Sequence, residues 1–216
     1  MICRLFLLSA VNTGAFQRIF LFMDAETVRQ KSTLLYIPNI IGYVRVVLLF
    51  ISLFFSKNIF VILYSISYLL DSLDGYAARR FKQESKLGYI LDMATDRASS
   101  AVLILRVVDA YPKMFIILGA FLMMDVLSHF FCVVCTCSSK VSHKVHASTS
   151  IASRILSFYY ARPVLFTVCL GSELFLLNIL CFKSVLLGVL CGVIFAFKYI
   201  TNVLQLYIAI ISLSQE

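Results

Sequence analysis

The chain has 216 residues, 61% of them hydrophobic and 14% charged, with a mean hydropathy of +0.95. No soluble core needs that much apolar surface, so the composition excludes an ordinary soluble domain and points to an integral membrane protein. The net charge of +8 would suggest a nucleic-acid partner in a soluble protein, but its placement here follows membrane topology and anionic headgroups, and no nucleic acid is expected.

The first residues, "MICRLFLLSAVN", carry one arginine and a short apolar run without a clear small-residue cleavage site. Residues 1–33 are read as an N-terminal cytosolic arm, expected to be poorly ordered, with a targeting segment as the alternative. Residues 34–216 are read as one catalytic domain, an all-α membrane protein of six transmembrane helices. A span takes ~20 apolar residues, and the runs lie at 37–56, 59–78, 88–108, 113–135, 163–182 and 184–206. The second and third are short in their purely apolar part because each carries two aspartates. These continuous runs do not show the alternating ~10-residue segments of a β-barrel.

Basic residues alternate between connections. Arg4, Arg18, Arg29 and Lys31 precede the first span, and Arg79, Arg80, Lys82 and Lys86 lie between the second and third. Lys140, Lys144, Arg154 and Arg162 lie around the connection from the fourth to the fifth, whereas the opposite loops hold Lys57, Lys113 and Lys183. The positive-inside rule puts both termini and the 79–86 connection on the cytosolic side.

Four aspartates, Asp71, Asp74, Asp92 and Asp96, cluster in and around that connection. Ionised groups inside spans are expensive and usually mark function. Asp71 and Asp74 are three residues apart, while Gly88, Asp92 and Asp96 follow at steps of four, so each set shares one helix face. The short polar link "RRFKQESK" predicts two antiparallel neighbouring helices whose acidic faces meet. Four carboxylates in a partly dry pocket repel and need cations or protons. An all-oxygen donor set favours a hard divalent ion, Mg²⁺ or Mn²⁺; two ions suit four aspartates and a displacement at phosphorus. Gly75, Ala78 and Gly88 leave space on the same faces for a phosphate-bearing or planar ligand, though close helix packing alone also uses small residues. Arg79 can pair with a phosphate in bidentate fashion, and Ser85 can donate a hydroxyl to a ligand. An ion path through a cation transporter is the rival use of intramembrane carboxylates, but it requires neither the glycines nor the arginine at these gaps.

"CVVCTC" places Cys132, Cys135 and Cys137 near His129, His143 and His146. A zinc site there lacks a second CxxC at finger spacing, so buried or acylated thiols are the preferred reading.

Asp71, Asp74, Gly75, Ala78, Arg79, Gly88, Asp92 and Asp96 together form eight fixed residues over 26 positions. This pattern resembles the signature of the CDP-alcohol phosphatidyltransferase family, complete at every position. Outside it, "YIPNIIGYVR" (36–45), "LDMATDR" (91–97), "DVLSHF" (125–130) and "YYARPVLFTVCLGSELF" (159–175) extend the resemblance over most of the chain from about residue 34. The resemblance implies six helices, a homodimer, a cytosol-facing site and an endoplasmic reticulum location. It implies CDP-diacylglycerol as donor and a polar alcohol as acceptor, with the stretches outside the signature favouring myo-inositol. Inositol phosphate, glycerol 3-phosphate, serine and choline remain alternatives, since the signature is shared. By resemblance the four aspartates hold two divalent ions, and Asp96 is the general base. Gly75, Arg79 and Ser85 are implied contacts of the CDP-diacylglycerol, with Ala78 and Gly88 beside them. Asn39 and Arg45 are candidate helpers near its nucleotide or phosphates, against the plainer readings of a helix-entry residue and a snorkelling cation. For the acceptor, Asp125, Arg154, Arg162 and Lys198 are candidates, with His129, Glu173 and Asn202 as further polar groups. A structural Glu173–Lys198 pair is the competing reading for those two.

Overall fold

The computed structural model describes residues 33–137 and 151–214. The expected arm, save Thr33, lies outside the described residues, as do Lys140, Lys144, His143 and His146. Among the described residues the chain is helical, with no strand.

Helix α1 (Ile37–Ser52) starts with Pro38 in its first turn, where the missing N–H has no intrahelical partner to lose. A short turn leads to α2 (Lys57–Phe81). Lys82 then takes a left-handed conformation, φ 55°, and the Lys82 and Gln83 N–H groups turn back onto the Ala78 carbonyl. Helix α3 (Lys86–Ala110) is capped by Ser85, whose Oγ accepts from the Gly88 N–H at 3.0 Å. A 3₁₀ turn at Pro112–Met114 precedes α4 (Phe115–Cys137). Helix α5 (Ile151–Tyr159) is short and amphipathic. Helix α6 (Arg162–Leu177) runs into a π-helical turn, Asn178–Phe182, and α7 (Val185–Leu213) follows. The Asn178 side chain holds this corner by bonding both the Ser184 N–H and the Ser184 carbonyl at 3.0 Å.

Among the described residues, four segments are long and apolar enough to cross a membrane: Lys57–Phe81, Pro112–Cys137, Arg162–Phe182 and Val185–Leu213. They make the chain an integral membrane protein. The expected first span is the shorter apolar helix α1, 16 residues, because the chain turns before Lys57. The expected third, α3, has 25 residues, about 37 Å, but its charged side chains take it out of the apolar class.

Leu49, Phe60, Tyr64, Leu103, Ile104, Val107, Leu118, Leu176 and Leu180 form the buried core. Outward faces are apolar, with Ile116 and Val185 largely exposed, while Ser67, Thr95, Ser100, Ser128, Thr201 and Asn202 are buried. Apolar outside and polar between helices is the pattern lipid demands, since a buried polar group facing hydrocarbon has no water partner.

One packing expectation changes. Helices α2 and α3 do not lie mainly against each other; α1 packs on both, and the direct α2–α3 contact is slight. Two acidic faces repel, and the wedge between them carries the Arg45 guanidinium.

Candidate active site

Both acidic faces converge on Arg45. Its Nη1 lies 2.7 Å from Asp71 Oδ1, 2.8 Å from Asp74 Oδ2 and 3.4 Å from Asp92 Oδ1, and its Nη2 lies 2.8 Å from Asp96 Oδ1. The Arg45 side chain is 2% exposed, whereas those of Asp71, Asp92 and Asp96 are 34%, 49% and 35% exposed. The carboxylates therefore share one buried cation on the inside and stay open on the outside. One positive charge cannot balance four carboxylates, so further cations or protons are required. Asp71, Asp74 and Asp92 each offer an oxygen within 4.8 Å of the others, and they are the one such group found among the described residues. Oxygen donors at that spacing fit a hard divalent ion.

A cavity of about 340 Å³ opens beside the cluster. Asp74 and Asp92 form part of its wall; Asn39, Gly75, Ala78, Arg79, Ser85 and Gly88 line the rest, with Gly42, Gln83 and Glu84. The volume lies in the range of small-ligand sites. Gln83 Oε1 accepts from the Ile37 N–H at 2.9 Å, fixing the α2–α3 connection to the start of α1. A side-chain carbon at Gly88 would come within 3.0 Å of Asn39 Oδ1 and 3.2 Å of Ser85 Oγ, so only glycine keeps this corner open. At Gly75 an added carbon would sit 3.4 Å from Arg79 Nη1, so the guanidinium folds back over the bare glycine. Asn39 is 1% exposed; its Nδ2 donates to the Thr33 carbonyl at 2.7 Å, while Oδ1 has no partner among the described residues. A buried acceptor left open beside a cavity is suited to a ligand donor.

Of the expected donor contacts, six line this cavity. Arg45 lies behind its wall, bound to the carboxylates. Gly42 and Gln83 were not expected. The spacing signal for Gly42 was present, since Asn39, Gly42 and Arg45 are at steps of three on one face of α1. Gln83 carried no periodic signal.

A second polar cluster lies deeper, among α3, α4, α6 and α7. Arg97 Nη1 donates to Asp125 Oδ2 at 2.5 Å, and Asn202 Nδ2 donates to Asp125 Oδ1 at 2.9 Å. Lys198 Nζ lies 3.9 Å from Asp125 Oδ1, and His129 Nδ1 lies 2.8 Å from the Asp125 carbonyl. Glu173 takes a 2.5 Å bond from the Tyr64 hydroxyl and a 2.9 Å bond from Ser100 Oγ. Glu173 thus pairs with hydroxyls, and Lys198 faces Asp125, so the competing reading of a Glu173–Lys198 pair does not hold. Arg97, unexpected from spacing, bridges the clusters: its Nη2 lies 3.9 Å from Asp96 Oδ2. Asp125 and Lys198 are brought together, but Arg154 and Arg162 are exposed and do not join them. A small cavity of about 30 Å³ touches Ser100, Asp125, Glu173, Lys198 and Asn202. It has room for about two waters.

Cys132 and Cys135 lie near Tyr160 and the Ala209 carbonyl, at 3.9 Å and 3.6 Å, and the six described cysteines form no disulfide. No Cys–His metal group forms among the described residues; His143 and His146 lie outside them.

The family model for CDP-alcohol phosphatidyltransferase matches residues 35–190. The chain is 40% identical over 193 residues to the CDP-diacylglycerol–inositol 3-phosphatidyltransferase of Saccharomyces cerevisiae, covering 84% of this chain and 87% of that one. It is 34% identical over 217 residues to the Schizosaccharomyces pombe protein of the same name, covering 85% and 91%. It is 36% identical over 153 residues to the Homo sapiens one, covering 67% and 70%. No solved structure matches the chain.

Proposed function

Since the chain belongs to the CDP-alcohol phosphatidyltransferase family, we propose that it transfers the phosphatidyl group of CDP-diacylglycerol to myo-inositol, giving phosphatidylinositol and CMP. The observation that carries this reading is the open-sided cluster of four aspartates beside a nucleotide-sized cavity. The names of the similar proteins support inositol as the acceptor.

The donor's cytidine diphosphate lies in the cavity, with its acyl chains in the bilayer. Gly75, Ala78 and Gly88 give the nucleotide its space, Asn39 Oδ1 accepts from it, and Arg79 and Ser85 face its phosphates. The family uses divalent metal ions; here Asp71, Asp74, Asp92 and Asp96 would hold two, Mg²⁺ or Mn²⁺. When bound, such ions neutralise the diphosphate.

An inositol hydroxyl oxygen attacks the phosphorus bearing the diacylglycerol. The bond from that phosphorus to the CMP oxygen breaks, and CMP leaves with the electron pair. Asp96 takes the hydroxyl proton. Its Oδ2 is suited to this, since the nearest guanidinium nitrogen of Arg97 is 3.9 Å away, beyond hydrogen-bond reach. An ordinary aspartate is a weak base, pKa ~4, so alignment and charge neutralisation carry most of the rate. Acceptor recognition is assigned to the Asp125 and Lys198 side of Arg97.

The active site faces the cytosol of the endoplasmic reticulum membrane, in a six-span homodimer. The basic connection around Arg79, Arg80, Lys82 and Lys86 supports that orientation.

The test is a liposome assay with CDP-diacylglycerol and a panel of alcohols. Labelled phosphatidylinositol should form from inositol alone. Equal transfer to serine or glycerol 3-phosphate would overturn the acceptor, and no transfer to any alcohol would overturn the reaction.

A further inference from the structure

We propose that Arg45 is the chain's own resident cation, standing where the divalent ions enter, and that ion loading displaces it. This rests on reading the four aspartates as the divalent-ion site.

The same three residues whose oxygens approach within 4.8 Å, Asp71, Asp74 and Asp92, all contact a single nitrogen, Arg45 Nη1, at 2.7, 2.8 and 3.4 Å. That nitrogen has two hydrogens for three oxygens. A small divalent ion needs oxygens at about 2.1 Å, so it cannot share that point with a guanidinium nitrogen. An ion that draws on those same three oxygens therefore excludes the guanidinium nitrogen.

Arg45 is also held in a manner that leaves it partly unsatisfied. Its Nε is buried with no partner among the described residues. Its side chain is buried and faces four carboxylates that compete for one charge. A doubly charged ion with oxygen-only preference is the better match to such a set.

The arrangement gives the carboxylate cluster a shape. Without a cation, four carboxylates on two helices would spread, and α2 and α3 touch each other only slightly. Arg45 on α1 keeps both acid pairs facing inward until ions arrive. Released, the guanidinium has lost its carboxylate partners beside the cavity, where the donor diphosphate is negative. The sequence-derived role of Arg45 as a phosphate contact then follows ion loading rather than competing with it.

The experiment measures Mn²⁺ binding to purified full-length protein in detergent, by electron paramagnetic resonance of the free ion, for wild type, Arg45→Met and Arg45→Lys. Thermal unfolding is followed in chelator and in saturating Mn²⁺. Removing the competing charge should tighten Mn²⁺ binding by about tenfold or more. Arg45→Met should unfold earlier than wild type in chelator and recover in Mn²⁺. Arg45→Lys, which keeps the charge, should bind within about threefold of wild type. Mn²⁺ bound no more tightly by Arg45→Met, or a stability deficit that Mn²⁺ leaves in place, would make Arg45 purely structural and overturn the proposal. If Arg45→Met does not fold even in Mn²⁺, the proposal falls in the same way. A wild type that takes up no Mn²⁺ would instead overturn the reading of the aspartates themselves.

Discussion

Two acidic regions lie within one side chain of each other and obey opposite rules. Around Asp125 and Glu173 every carboxylate is matched from inside the protein. Asp125 receives Arg97 and Asn202, with Lys198 close by, and Glu173 receives two hydroxyls. Around Arg45, four carboxylates share one guanidinium, and three remain open to the outside. A buried charge without partners costs several kcal/mol, so the first region is held together by the fold itself and meets the acceptor as a preformed polar wall. The second is tolerable only because it is to be completed by something the chain does not supply. The comparison teaches where to look for chemistry: at the carboxylates the protein itself leaves unmatched.

The sharpest way to break this contrast is at Asp96, which belongs to the open cluster yet borders the matched one. Asp96→Asn should lower turnover by ~10²–10⁴-fold, the range for losing a general base, while CDP-diacylglycerol binding is largely kept. Initial rates with radiolabelled inositol and a donor-binding assay together check this; near-normal turnover would remove Asp96 as base.

The matched region should respond in stability instead. Asp125→Ala strands Arg97 in a buried site and should cost about 3–5 kcal/mol, read as an earlier thermal unfolding in detergent. Glu173→Leu leaves the Tyr64 and Ser100 hydroxyls without an acceptor and should cost about 1–3 kcal/mol. If either variant unfolded like wild type, the claim that these carboxylates serve the fold would be lost.

The smallest effect sharpens the cavity wall. Gly88→Ala pushes a methyl against Asn39 Oδ1 and Ser85 Oγ, at 3.0 and 3.2 Å. The donor KM should rise by about threefold to tenfold as the methyl takes up cavity space, and about 1 kcal/mol of crowding should make unfolding slightly earlier. A KM that stays put would place the nucleotide elsewhere.

Much of this was legible in the chain. Apolar runs mark helices because lipid forces the backbone to satisfy itself, and the steps of three and four carry Asp71, Asp74, Gly88, Asp92 and Asp96 to shared faces without any tertiary knowledge. Asn39 and Arg45 were visible as polar residues in an apolar helix. What was not legible is how helices are seated against one another. Sequence adjacency suggested that α2 and α3 pack together, whereas α1 lies between them. The Glu173–Lys198 pairing failed for the same reason: opposite charges attract, but the rotational setting of α6 and α7 gives Lys198 to Asp125 and Glu173 to Tyr64. Arg97 was hidden next to a stronger signal, since neighbouring residues on a helix point in different directions. Arg154 and Arg162, expected beside the acceptor, are exposed and do not join Asp125 and Lys198.

The most direct measurement compares ion uptake by the two regions: Mg²⁺ titrated calorimetrically into purified wild type, Asp74→Asn and Asp125→Asn. The expected result is saturable uptake by wild type, affinity about tenfold or more weaker in Asp74→Asn, and wild-type affinity in a folded Asp125→Asn. No uptake by the wild type, or equal loss in both variants, would contradict the division between open and matched carboxylates.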